Sequence, residues 1–414
     1  MGGTPYGDGW RLGFQLPPDY TVSEWADQHV MLSPEMAAEP GRWRTDRAPY
    51  QKEMMDCLVD PNVDVVVYHT SAQIGKTSIL LNGIGYHIHH APAPMLAIQP
   101  TLEMAEAFSK DKLSPMLRDT PVLADRVADE RSRNSSNTIR HKQFPAGQLT
   151  IAGANSPTSL RMRSVKIVWA DEIDAYPATA GEEGDPLKLA YKRTQTFWDS
   201  KMVASSTPTI KGISRIDAMF EDSDQRHYYV PCPHCDEMQV LIWERVEWDK
   251  GHPETASYCC EHCGSLMSDA EIKRAVRLGE WRAHAAFNGT AGFHIWQIYS
   301  PWSSLYDIVS EYEATESRPA QRQVWWNTTL GRVWDGDETA GITAEDLYRR
   351  RETYPGHIVP ADACVVTAGV DVQGDRLEVL IKAFGADNES WILEHLKIYG
   401  DPASNPPWQE LSEV

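Results

Sequence analysis

The chain has 414 residues, 42% of them hydrophobic and 24% charged, the composition of an ordinary globular protein with room for two to three domains. Its formal net charge of −20 argues against a generic nucleic-acid binder, although phosphate binding depends on local Lys and Arg rather than on the global balance. No stretch reaches about 18 consecutive apolar residues, so a membrane-spanning helix is not expected, and Met1-Gly2-Gly3-Thr4-Pro5-Tyr6 does not open a secretory signal. An intracellular protein is therefore expected. Seven cysteines are too few for a disulfide scaffold in so long a chain. Local basic runs occur at Arg131-Ser132-Arg133 through Arg140-His141-Lys142, at Arg161-Met162-Arg163 and at Arg349-Arg350-Arg351. Taken singly, each reads as solvated surface.

Residues 1–45, rich in Pro, Gly and Trp, read as an N-terminal arm with one short helix near Val22–Met31. From residue 46 to 225 the pattern is α/β. Asp64-Val65-Val66-Val67-Tyr68 is a short β-branched strand running into a loop at Ser71–Thr77, and Ser78-Ile79-Leu80-Leu81 opens a helix. Met95–Pro100, Leu149–Gly153, Ser164–Ala170 and Lys201–Ser206 are further strand candidates, with a helix over Thr101–Leu117. Apolar strands alternating with helices predict a parallel sheet covered on both faces.

The loop reads Thr70-Ser71-Ala72-Gln73-Ile74-Gly75-Lys76-Thr77, a phosphate-binding P-loop with Thr70 where the first glycine usually stands. Gly75 lets backbone N–H groups close around phosphate oxygens, Lys76 reaches the β- and γ-phosphates, and Thr77 offers a hydroxyl to Mg²⁺. Ser71, Gly75, Lys76, Thr77 and Ser78 are the expected ATP-lining residues, aided by the partial positive charge of the helix N-terminus. Downstream, Val165-Lys166-Ile167-Val168-Trp169-Ala170-Asp171-Glu172 is an apolar strand ending in two carboxylates. Asp171 suits a Mg²⁺ ligand and Glu172 the base that polarises water. In Val203-Ala204-Ser205-Ser206-Thr207-Pro208-Thr209, Ser206 or Thr207 is placed to sense the γ-phosphate, with Thr207 the catalytic candidate.

Residues 226–270 form a turn-rich insertion. Cys232-x₂-Cys235 and Cys260-x₂-Cys263 are two knuckles whose thiolates suit tetrahedral Zn²⁺ in a zinc-ribbon-like, structural site. Cys259 lacks the spacing, and His234 and His262 are alternative ligands. Residues 271–357 form an aromatic-rich linker subdomain with Trp281, Trp296, Trp302, Trp325, Trp326 and Trp334. Beyond it, Cys364–Asp371 and Asp375–Lys382 predict a hairpin whose first strand ends in a carboxylate.

Together these elements resemble the large terminase subunit of tailed phages, the lambda-like group in particular. The resemblance extends to Arg47-Ala48-Pro49-Tyr50-Gln51, Cys232-Pro233-His234-Cys235, Gly292-Phe293-His294-Ile295, Trp326–Gly331 and Ala368-Gly369-Val370-Asp371. It implies a RecA/ASCE-like P-loop ATPase domain followed by an RNase H-like nuclease beginning at 358. The activity implied is a motor packaging double-stranded DNA into a procapsid, with nuclease cutting of concatemers. The implied partners are a small terminase subunit and the portal, the implied assembly a homo-oligomeric ring, and the implied setting the host cytoplasm, with no membrane. Tyr50 and Gln51 would contact adenine, and Asp371 would hold Mg²⁺ or Mn²⁺. The sequence departs from the family in two places. The arginine many terminases carry inside the P-loop is replaced by Ser71-Ala72-Gln73, leaving Arg161 and Arg163 as substitutes. Asp375, Glu378, Glu389 and Glu394 lie near Asp371, but the later strands that would bring the other acids of a two-metal site are absent, so a truncated nuclease, unable to cut DNA by itself, is expected. A helicase-like ATPase and a nucleotide-binding, zinc-stabilised interaction module are the competing readings.

Overall fold

The computed structural model describes residues 19–35, 37, 39–127, 137–161, 164–181, 183–316, 318–336, 348–349, 351, 354–355, 358–386 and 389–414. The first 18 residues of the expected arm, and Arg131-Ser132-Arg133, Met162, Arg163 and Arg350 of the basic runs, lie outside the described residues. The chain divides into two compact units, residues 1–338 and 339–414.

The helix expected near Val22–Met31 spans Val22–His29 and starts at a capping box in which Thr21 and Glu24 exchange side-chain and backbone bonds. Its Trp25 is fully buried and donates through Nε1 to His89. β1 (Met31–Leu32) and β2 (Gly41–Arg42) pair as a short antiparallel ribbon.

The strands that follow are β3 (Val65–Thr70), β4 (Pro94–Gln99), β5 (His141–Phe144), β6 (Gly147–Gly153), β7 (Ile167–Asp171), β8 (Lys201–Ser206), β9 (Arg226–Pro231), β10 (Met238–Val240), β11 (Val246–Asp249), β12 (His252–Cys259), β13 (Leu266–Met267), β14 (Glu280–Ala283) and β15 (Thr290–Ile295). Except for β11, β12 and β13, these form one sheet in the order β10-β9-β15-β3-β8-β7-β4-β6-β5, with β14 also on β9. The centre is parallel, and antiparallel pairs occur only toward the two edges. The five strands predicted from apolar runs are β3, β4, β6, β7 and β8. β15, whose Gly292–Ile295 belongs to a motif of the family resemblance, seats itself between β3 and β9.

Alternate residues of the central strands feed two cores, as a period of two requires. Val66 and Tyr68 of β3, with Trp169 of β7, face the Lys76–His89 helix and its Ile79 and Leu80. Val67, Val168 and Ala204 face the other way, against Ile216 and Phe220 of the Arg215–Glu221 helix. The Lys76–His89 helix lies so close to the sheet that a Cβ on Gly83 would come within 2.4 Å of the Trp169 ring. This contact sets the height of the helix N-terminus above the strand ends.

The cysteine-bearing segment and the Trp-rich segment share an aromatic cluster. The Trp243 ring lies 4.8 Å from Trp325 and 4.9 Å from Tyr312, centroid to centroid. Among the described residues no helix is long and apolar enough to cross a membrane.

In the second unit, β16 (Ala363–Val372) and β17 (Arg376–Gly385) form the predicted hairpin, and β18 (Ser390–Tyr399) pairs with β17 as a third strand. Leu377, Val379 and Ile398 form its small core, with Leu411 of the Pro406–Glu413 helix packed against them.

Candidate active site

β8 lies between β3 and β7, so Tyr68, Ser205 and Asp171 stand level across three strands. The loop after β3 therefore leaves the sheet beside the carboxylate strand, one strand removed. Gly75 has φ +85°, in the left-handed region, and is the N-cap of the Lys76–His89 helix. No side chain caps this helix end, which leaves its first N–H groups free of a side-chain acceptor.

Lys76 and Glu172 meet here: Nζ lies 2.7 Å from Oε1. The contact is close but off the hydrogen-bond direction, and the buried Nζ has no aligned acceptor. A buried ammonium in that condition suits an incoming phosphate oxygen. Asp171 is buried, accepts from Ser205 Oγ, and takes Gln99 Nε2 at 3.2 Å. Burial, and then the neighbouring Glu172 charge, raise its carboxyl above the usual range. A divalent cation beside Asp171 and Thr77 would oppose both effects. Glu172 itself sits at φ 52°, ψ 51°, a left-handed conformation costing a non-glycine residue on the order of 1–3 kcal/mol. That twist turns the second carboxylate out of the strand direction and toward Lys76.

The hydroxyl beside Glu172 belongs to Ser206, whose Oγ lies 3.4 Å from Oε2 and 2.9 Å from Thr207 O and accepts from the Asp174 N–H at 3.3 Å. Of the two hydroxyls expected to sense the γ-phosphate, Ser206 is the one beside Glu172.

Tyr50 and Gln51 also part from expectation. Both are buried, and both donate to one carbonyl of the loop, Ile74 O, at 3.1 and 2.7 Å. A Cβ on Gly75 would lie 2.3 Å from Gln51 Nε2. The pair braces the loop from beneath, and as arranged the Tyr50 ring has no open face for a base.

The loop is held from its other side by residues far along the chain. Ser71 N–H donates to Ile295 O at 3.0 Å, Ala72 N–H to Thr328 O at 2.7 Å, and Ser300 Oγ to Gln73 O at 3.0 Å. Gly331, at φ +63°, touches the loop so closely that an added Cβ would come within 2.5 Å of the Ser71 nitrogen. Gly331→Ala is expected to destabilise the fold by about 2–4 kcal/mol, from overpacking and positive φ together, read as a lowered urea midpoint with an unchanged slope.

The four cysteines converge. Cys232, Cys235, Cys260 and Cys263 place their sulfurs within 4.8 Å of one another, with the Cys232–Cys263 and Cys235–Cys260 pairs each at 3.9 Å. Thiolates about 2.3 Å from one tetrahedral ion would stand about 3.8 Å apart, so the set fits a closed four-sulfur metal site. The knuckles repeat one geometry: Asp236 N–H donates to Cys232 O and Gly264 N–H to Cys260 O, with Asp236 and Gly264 both at positive φ. Cys259 Sγ points instead at carbonyls of Cys260 and Gly264, while His234 and His262 lie against Glu271 and Glu261. Among the described residues this is the one group of three or more metal-ligating side chains that converge.

In the second unit Asp371 is exposed, stands opposite Glu378 across the β16–β17 pair, and accepts from Gln373. Glu378 is surrounded by Arg376 at 2.8 Å, His395 at 3.3 Å and Lys397 at 3.7 Å. Asp375 pairs with Arg376, and Glu389 is exposed.

Residues 37–281 match the family described as phage terminase large subunit gpA, ATPase domain, and residues 290–414 match the terminase large subunit gpA endonuclease domain. The chain belongs to the phage terminase large subunit family. It is 30% identical over 416 residues to the terminase large subunit of Enterobacteria phage P21, covering 94% of this chain and 64% of that protein. Against the terminase large subunit of Escherichia phage lambda it is 30% identical over 409 residues, covering 93% and 63%. The chain thus spans just under two thirds of the length of these relatives. The large terminase of bacteriophage HK97 is similar at 12% identity and a TM-score of 0.48, over 91% of this chain and 67% of that one.

Within this terminase chain the endonuclease match begins at residue 290, yet β15 at Thr290–Ile295 lies inside the ATPase sheet, paired to the P-loop strand. Ser300 and Gly331, which hold the loop, likewise fall in the endonuclease match while belonging structurally to the first unit. Arg161, a candidate replacement for the missing P-loop arginine, is paired with Glu183 at 2.6 Å. Gly331 closes a motif of the family resemblance, but nothing in the sequence shows that it or Ser300 holds the loop, because their partners stand more than two hundred positions earlier in the chain.

Proposed function

We propose that this chain hydrolyses ATP at the P-loop and that, as the ATPase of a large terminase subunit, it uses the reaction to drive duplex DNA into a procapsid. The single observation carrying this reading is the buried Lys76 ammonium, which has no aligned acceptor and sits at an uncapped helix N-terminus beside Asp171 and Glu172.

In this reading the triphosphate draws Lys76 Nζ from Glu172 onto the β- and γ-phosphate oxygens, where the first N–H groups of the Lys76–His89 helix also bind. Thr77 and Asp171 would hold Mg²⁺, whose charge offsets that of the phosphates. Glu172, released from the ammonium, accepts a proton from the attacking water as its oxygen bonds to the γ-phosphorus. The bond to the bridging oxygen breaks, and ADP leaves with the electron pair.

The four cysteines would hold one structural Zn²⁺, and Asp371 would contribute to a Mg²⁺ or Mn²⁺ nuclease site completed by other carboxylates. Proposed partners are double-stranded DNA, the small terminase subunit, the portal of the procapsid and further copies in a ring, in the host cytoplasm. The test is ATP turnover by the purified chain with and without linear duplex DNA. Stimulation by duplex without strand separation is the expected result; separation of a forked duplex would favour the helicase-like reading, and no turnover would overturn both.

A further inference from the structure

With Tyr50 and Gln51 turned to the loop carbonyl, a nucleotide whose phosphates sit on the Lys76–His89 helix must find another surface for its base. An exposed aromatic ring stands beside the loop. Trp302 is 45% exposed, and a Cβ built on Gly75 lies 3.9 Å from its Cζ3. The ring is carried on a braced turn. Trp302 N–H donates to Ser300 Oγ at 3.3 Å, and the same hydroxyl donates to Gln73 O inside the loop. Lys273 Nζ holds the Ile298 and Ser300 carbonyls at 2.9 and 2.7 Å. The braced turn holds the half-exposed indole beside the loop.

We propose that Trp302 is the base platform of the ATP site: the purine of a nucleoside triphosphate stacks on its indole while the phosphates occupy the P-loop. The inference rests on the ATP-site reading above and adds the residue that meets the base. Stacking tolerates any base with a large π-face, because it reads no hydrogen-bond pattern. ATP and GTP should therefore bind alike and UTP more weakly.

Calorimetric binding to the full chain tests this, with ATPγS, GTP, UTP and inorganic tripolyphosphate as separate probes. Trp302→Ala and Trp302→Leu are each expected to weaken ATPγS binding roughly tenfold, to erase the preference over UTP, and to leave tripolyphosphate affinity unchanged. Trp302→Phe should restore most of the loss. Unchanged ATPγS affinity in both variants would overturn the proposal, as would an equal loss for tripolyphosphate, which would mean that Trp302 only shapes the loop. If the unsubstituted chain bound neither ATPγS nor tripolyphosphate, the ATP-site reading itself would fall, and this inference with it.

Discussion

Glu172→Gln is expected to lower ATP turnover by roughly 10²–10⁴-fold, the range for loss of a positioned general base, while nucleotide still binds. The geometry makes the separation sharp. Glutamine keeps the size of the side chain and its contact with Ser206 Oγ, and it removes the charge that faces Lys76 at 2.7 Å. Without that competitor the ammonium is available to phosphate from the start, so ATP affinity should hold or rise. Lys76→Ala does the opposite. It removes the charge that meets the phosphates and leaves Glu172 facing a site with less positive potential, so nucleotide affinity should fall by roughly 100-fold or more. Rapid filtration of bound ATP together with single-turnover hydrolysis distinguishes the two. A Glu172→Gln chain that hydrolysed ATP at the unsubstituted rate would remove Glu172 as the base. The left-handed backbone at Glu172 predicts that the substitution is neutral for folding, since glutamine meets the same φ and ψ with the same branching.

Much of this site was legible because its parts are local. β3, the loop and the Lys76–His89 helix form one continuous stretch, and a run of β-branched residues ending in Gly75-Lys76-Thr77 has few other physical solutions. The same holds for β7 with Asp171 and Glu172, and for β8 beside it. What escaped the sequence is nonlocal. Thr70 replaces the usual first glycine because β3 continues through it, pairing with Ile295 of β15. That pairing joins residues separated by the whole cysteine-bearing segment, so no local period could announce it. Tyr50 shows a different limit. Its residue type fits both a base stack and a core aromatic, and only burial, with its hydroxyl on Ile74 O, separates them. Three successive hydroxyl residues, Ser205, Ser206 and Thr207, leave the choice among them to geometry, and Ser206 lies beside Glu172. In the second unit the hairpin is legible from its alternation, and β18, after the turn-forming Gly385-Ala386-Asp387-Asn388, is a strand that the sequence reading leaves out.

Removal of the zinc proposed for the four-cysteine site, or Cys260→Ser, is expected to reach well beyond the knuckles. Structural zinc sites contribute folding free energy outright, so the melting temperature should drop by roughly 10 °C or more. The path to the P-loop is short and bonded. Cys232 follows directly on β9, and β10 pairs back onto it. Next to β10, Leu241 N–H donates to Tyr299 Oη, and Leu241 O accepts from Trp296 Nε1. Tyr299 Oη in turn donates to Tyr228 O on β9. The turn fixed by these bonds carries Ser300, which holds Gln73 of the loop at 3.0 Å. Loosening the knuckles should therefore loosen the nucleotide loop, and ATP affinity should fall together with zinc content. Graded chelation, followed by metal analysis, thermal melting and ATP binding on the same samples, measures the coupling. The expected result is one zinc per chain, with all three readouts declining together. Full ATP affinity in a chain stripped of zinc would show that the two sites are independent, and the Leu241–Tyr299–Ser300 path would then carry no load between them.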